Sequence, residues 1–135
     1  MPVNIQWDDE AQTRVLFEFS GKWTWDEYQK ARQQGIRMTT DLPQIVNLIV
    51  DYSHCDMFPS NMLSHFGSSI EQNPKPFELA VIVTGSPFVK TLVNVITKVY
   101  TRKGVNFKVA RTLEDARKIF AEHEAKRAVS KSVPL

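Results

Sequence analysis

The chain has 135 residues, 42% hydrophobic and 24% charged, with a formal net charge of +2; this is the balance of a soluble globular protein of one-domain size rather than of a disordered or membrane one. A single cysteine, Cys55, excludes an intrachain disulfide, and no apolar run approaches the roughly 20 residues that cross a bilayer. The N-terminus MPVNIQWDDE lacks the basic-then-apolar order of a signal peptide, so a cytoplasmic location is expected.

Ile5 and Trp7 alternate with polar residues, and Val15 to Phe19 resumes a strand pattern after the turn chemistry of Asp8 to Thr13, which predicts an opening hairpin. The acidic run Asp8-Asp9-Glu10 is expected only to keep that turn solvated. Gly21 breaks the chain, and Thr24-Trp25-Asp26-Glu27 matches a capping box, in which Glu27 reaches back to the cap. The first helix is expected to reach Thr39. Its inner side carries Trp25, Tyr28, Ile36 and Thr39, with Ala31 and Gly35 beside them.

Val46 to Val50 is almost wholly apolar and reads as a central strand that stops at Asp51. A loop to Pro59 then delivers Ser60 as the expected N-cap of a second helix, next to free N–H groups that suit an anion. Met62, Leu63, Phe66, Gly67 and Ile70 form the stripe of that helix, which Asn73-Pro74-Lys75-Pro76 terminates. Leu79 to Val83 is another buried strand. In Thr84-Gly85-Ser86-Pro87, Ser86 is the expected cap of the third helix, with Pro87 at its first position.

On the third helix Phe88, Val89, Leu92, Val93, Val95, Ile96, Val99 and Tyr100 fall within an arc of roughly 160°, wider than the stripe of about 100° that a surface helix buries. One flank, Val89, Val93 and Tyr100, is expected to face a partner, a second copy or an apolar ligand. Trp23, Trp25 and Tyr28 supply an aromatic cluster for the same role. Phe107 to Ala110 is the last strand, and Thr112 caps a final helix with Leu113, Ala116, Ile119 and Phe120 inside.

The order ββαβαβαβα predicts an α/β fold in two layers, a mixed, mostly parallel sheet of about five strands with about four helices. One domain is expected over residues 1–125, with a frayed tail over 126–135. Ligands of such sheets favour the carboxyl ends of the strands, where Asp51 to Ser60 and Thr84 to Pro87 depart.

His54, His65 and His123 have no metal-ligand spacing with each other or with Cys55. No nucleophile elbow, phosphate-binding loop or dinucleotide fingerprint occurs among only five glycines. No metal, cofactor or enzymatic activity is therefore expected. Residues 1–85 carry 6 Lys/Arg against 11 Asp/Glu, and residues 86–135 carry 11 against 4. The basic excess is read as the solvated sides of the two C-terminal helices rather than as a nucleic-acid surface.

With Asp51-Tyr52-Ser53 at a strand end, Met57-Phe58 as an apolar pair and Pro59-Ser60 opening a helix, the chain resembles the STAS domain superfamily, typified by bacterial anti-anti-sigma factors. The likeness spans roughly residues 3–123 as topology. It implies a non-enzymatic regulatory domain that binds a protein partner, a kinase or sigma-factor regulator, through Asp51, Ser53, Asp56, Met57, Phe58, Ser60 and Asn61. Ser60 holds the place of the serine that is phosphorylated in that family, where added charge switches binding. Pro59 stands where the family has an acidic residue, Asn61 where it has a small one and His54 where it has glycine. The opening around Gly21 and Thr24 also resembles the STAS-like branch grouped with Sec14-type lipid-binding folds. A binding module for a small apolar or lipid-like ligand is the alternative function, and a homodimer through a strand edge or the third helix is also expected.

Overall fold

Val3, Ile5, Val15, Phe17 and Phe19 point to one face along two strands, and this period-two pattern builds the first hairpin, with Leu16 between Val15 and Phe17 buried on the opposite face. β1 (Val3–Trp7) and β2 (Arg14–Gly21) pair antiparallel from Val3↔Phe19 to Trp7↔Val15. The structure is a computed structural model that describes residues 2–55, 57–72, 77–100 and 105–132. The hairpin turn is organised by its acids. Asp9 Oδ1 accepts from the N–H groups of Thr13 (2.9 Å) and Arg14 (3.2 Å), and its other oxygen accepts from the Thr13 hydroxyl. Asp8 is ion-paired to Arg14 at 2.7 Å and to Arg117 at 2.8 Å. The acidic run thus shapes the turn and binds a distant helix, beyond the solvating role expected of it.

β3 (Asn47–Cys55), β4 (Leu79–Val83) and β5 (Asn106–Ala110) follow, each parallel to its predecessor, and the sheet order β1-β2-β3-β4-β5 repeats the chain order. The intervening helices are α1 (Trp25–Thr39), α2 (Met62–Glu71) and α3 (Pro87–Tyr100). All three contribute to one buried cluster with Phe17, Phe19, Tyr52 and Ile82. The final helix α4 (Leu113–Ser132) covers the other face, where Leu16, Ile49, Leu79, Val81 and Val83 meet Ala116 and Phe120. A sheet covered on both faces explains the continuous apolar strand Leu79 to Val83, every residue of which is buried.

The expected caps form at three helices. Thr24 and Glu27 make the reciprocal capping box, Ser86 Oγ accepts from Val89 N–H at 3.3 Å, and Thr112 Oγ1 accepts from Asp115 N–H at 3.0 Å. The second helix differs. Its N-cap is Asn61, with φ 65° and no side-chain bond to the helix, so Ser60 is not the cap. Asn61 tolerates the left-handed region, and this sharp turn aims the chain into α2 one residue later than expected.

β3 also runs beyond the expected end at Val50. After a register shift between Glu18 and Ser20, His54 and Cys55 pair with Ser20 and Gly21 of the long strand β2. Asp51 does not break the strand because it is 1% exposed and satisfies its own neighbourhood: Oδ1 accepts from Ser53 N–H (2.9 Å) and Ser53 Oγ–H (2.6 Å). At the other end of the chain, α4 continues as helix to Ser132 past the boundary expected at Lys126, and Arg127 on it binds Glu78 at 2.8 Å.

Candidate functional site

Between the sheet and α1–α3 lies a cavity of about 140 Å³. Its floor is formed by side chains of three parallel strands, Leu48 and Val50 of β3, Ala80 and Ile82 of β4, and Phe107 of β5. Ala80 is 2% exposed, and its single methyl leaves room where a larger residue would fill the centre of the floor. One wall is α1, where Gly35 lets the helix approach β1; a Cβ there would stand 2.5 Å from Ile5 Cδ1. The opposite walls are Phe66, Ser69 and Ile70 of α2 and Val93 and Ile96 of α3.

The few polar groups on the wall are related. Tyr28 O–H donates to Ser69 Oγ at 2.7 Å, and Ser69 Oγ–H donates to the His65 carbonyl at 2.9 Å. Arg32, one helical turn beyond Tyr28, reaches the Ser69 carbonyl with Nη2 at 3.4 Å. Tyr52, 3% exposed, also lines the cavity, and its buried hydroxyl has no hydrogen-bond partner among the described residues.

Burial pushes the Tyr52 phenol well above its ordinary value of 10.0, and the neighbouring Tyr28 and Cys55 add to that rise. Burial also raises Tyr28, although the Ser69 hydrogen bond and the Arg32 charge pull in the other direction. Both phenols therefore stay neutral near pH 7 and keep a proton to donate.

The sequence-derived interaction residues occupy a second region, at the carboxyl ends of the strands. Ser53, His54, Ser60 and Asn61 are exposed, Met57 is 56% exposed, and Asp56 lies outside the described residues. Phe58 is half-buried, its ring between Tyr52 (centroids 5.3 Å apart) and Phe88 (6.2 Å). Trp25 lies against His65 and donates from Nε1 to the Ser60 carbonyl, which fixes the loop through its backbone and leaves the serine side chain outward. Asp51 lies within β3, buried and bonded to Ser53 rather than on the surface.

The expected apolar surface is rearranged. Val89 and Val93 are 0% and 4% exposed, so they belong to the core; Phe88, Val95 and Val99 are the exposed apolar residues of α3. The side chain of Tyr100 lies outside the described residues. Trp23 is buried and stacked on Tyr52, with planes 10° apart, and of the described members of the expected set Tyr28 and Val93 line the cavity. Arg32, Ser69, Tyr52, Gly35 and Ala80 escaped sequence reasoning as site residues. The recoverable signal was Arg32 at i+4 from Tyr28, a cation on the inner side of α1. Among the described residues no cluster of His, Cys, Asp or Glu is placed to hold a metal, and no helix is long and apolar enough to cross a membrane.

No protein-family profile matches the chain, and no curated protein matches it. Among solved structures, the chain is similar to an uncharacterized protein of the DUF3478 family with a SpoIIAA-like fold from Shewanella loihica PV-4. The TM-score is 0.64 at 14% identity, and the match covers 86% of this chain and 90% of that one. The class is therefore set by architecture: a SpoIIAA-like, STAS-like α/β fold with a mixed five-stranded sheet and four helices.

Proposed function

We propose that this STAS-like domain is a non-enzymatic binding module for a small apolar ligand held between the sheet and α1–α3. The observation that carries the reading is the cavity of about 140 Å³, lined almost wholly by aliphatic and aromatic side chains and placed between sheet and helices. Protein interiors are otherwise close-packed, and an apolar cavity of roughly 150 Å³ is enough to take up benzene. That size favours a single ring or a short chain over a whole lipid. Native mass spectrometry and ligand-observed NMR with benzene and toluene test it. Saturable binding that is lost when Ala80 is enlarged supports the module, whereas no uptake of either probe argues against it.

A second reading, an interaction surface of STAS type at the carboxyl ends of the strands, is favoured by one observation. Met57, Leu63 and Phe88 are 56%, 45% and 53% exposed, three large apolar side chains in the elements around Ser60. Phosphorylation of Ser60 by a kinase would place a double charge beside them. Phosphopeptide mapping of the protein isolated from growing cells is the test. Phosphate on Ser60 supports a switch, and its absence across growth conditions removes it.

A further inference from the structure

We propose that the ligand of this cavity is a small amphiphile, an apolar body of about one ring carrying a single carboxylate, with the anion bound against Arg32. The inference rests on the cavity being a binding site and adds what kind of molecule it selects. Among the described residues that line the cavity, Arg32 is the one charged side chain, and none is acidic. Its guanidinium makes one long hydrogen bond, 3.4 Å to the Ser69 carbonyl, and no ion pair among the described residues.

A guanidinium keeps its charge at every physiological pH, and its five donors match a carboxylate two at a time. Arg32 is only partly buried, so its guanidinium stands at the rim of the apolar wall with donors to spare, where a ligand anion can pair with it while the apolar body lies inside. The other polar groups agree in sign. Tyr52 offers a buried, unpartnered hydroxyl, and Tyr28 and Ser69 already bond to each other between α1 and α2. The wall thus favours an acceptor over a donor. Among the described residues of the lining there is one fixed cation and otherwise only hydroxyl and apolar side chains, which suits a single negative charge better than a dianion. The body must be compact, since about 140 Å³ accommodates a ring of benzene size.

The test compares benzoate with toluene on the intact protein by titration calorimetry and ligand-observed NMR, in wild type, Arg32→Gln and Arg32→Lys. Benzoate is expected to bind the wild type more tightly than toluene. Arg32→Gln is expected to weaken benzoate by about tenfold or more and to leave toluene unchanged, with Arg32→Lys between the two. Thermal melts of the three proteins establish that each is folded. Equal benzoate affinity in wild type and Arg32→Gln, or toluene binding better than benzoate to the wild type, overturns the carboxylate assignment while the cavity reading stands. Failure of both probes to bind the folded wild type overturns both.

Discussion

Trp25 lies flat against His65, with ring centroids 3.8 Å apart and planes 9° from parallel, while its indole N–H donates to the Ser60 carbonyl at 2.9 Å. One side chain on the first turn of α1 thus holds both the start of α2 and the loop before it. Trp25→Phe keeps a ring on His65 and removes the donor; it is expected to cost about 1 kcal/mol. Trp25→Ala loses both contacts and is expected to cost about 2–3 kcal/mol. Urea unfolding measures the two losses. Amide exchange should show the excess opening confined to the start of α2.

Ala80 limits how much of the floor is filled. Ala80→Leu places three more carbons in the cavity and is expected to raise stability by about 1–2 kcal/mol, at roughly 24 cal/mol per Å³ of space filled. The same substitution is expected to abolish binding of small aromatics. A variant that melts lower than wild type would mean the space is too narrow for the added branch.

Tyr52 carries a buried hydroxyl without a partner, an arrangement that costs about 1–3 kcal/mol relative to an apolar surface of the same shape. Tyr52→Phe is therefore expected to raise the melting temperature of the protein without ligand. The shift should correspond to about 1 kcal/mol. A lower melting temperature would show that the hydroxyl is satisfied in solution.

Asp8 makes the protein sensitive to acid. Burial alone would raise its carboxyl, but the hydrogen bonds from Arg117 and Arg14, with their charges, outweigh this and hold it below its ordinary value of 3.8. The stabilisation is complete above that ordinary value and is lost as pH falls through the depressed one. Asp8→Asn is expected to cost about 1–2 kcal/mol at pH 7 and to flatten the loss of stability below about pH 4. Chemical denaturation at pH 7, 4 and 3 separates the two proteins.

Local signals with an immediate partner were legible in the sequence. The capping box at Thr24, Ser86 before Pro87, and Thr112 all act within one turn, and each forms as read. Asp51 was misread because a charge ending an apolar run signals a strand end, whereas here Ser53 satisfies it locally and β2 is long enough to pair past it. Ser60 was misread for a related reason. Serine favours the cap, but the left-handed turn at Asn61 shifts the helix start by one residue.

The cavity was legible only in part. The alternative of an apolar ligand followed from the width of the α3 stripe, yet the stripe's surplus is the exposed Phe88, Val95 and Val99 rather than a ligand wall. The actual space arises from Ala80 and Gly35, small residues on elements far apart in the chain, and from Arg32, whose meaning depends on no acid lining the cavity among the described residues. No window of sequence contains that relationship.

Because the sheet order repeats the chain order, each new strand leaving the ribosome finds its neighbour already made, and the sheet can grow vectorially from β1 to β5. The surface beneath α4 has a different history. Leu16, Ile49 and Val81 stay bare until Phe120 arrives, so a nascent or stalled chain lacking that helix presents a sticky apolar plane to chaperones.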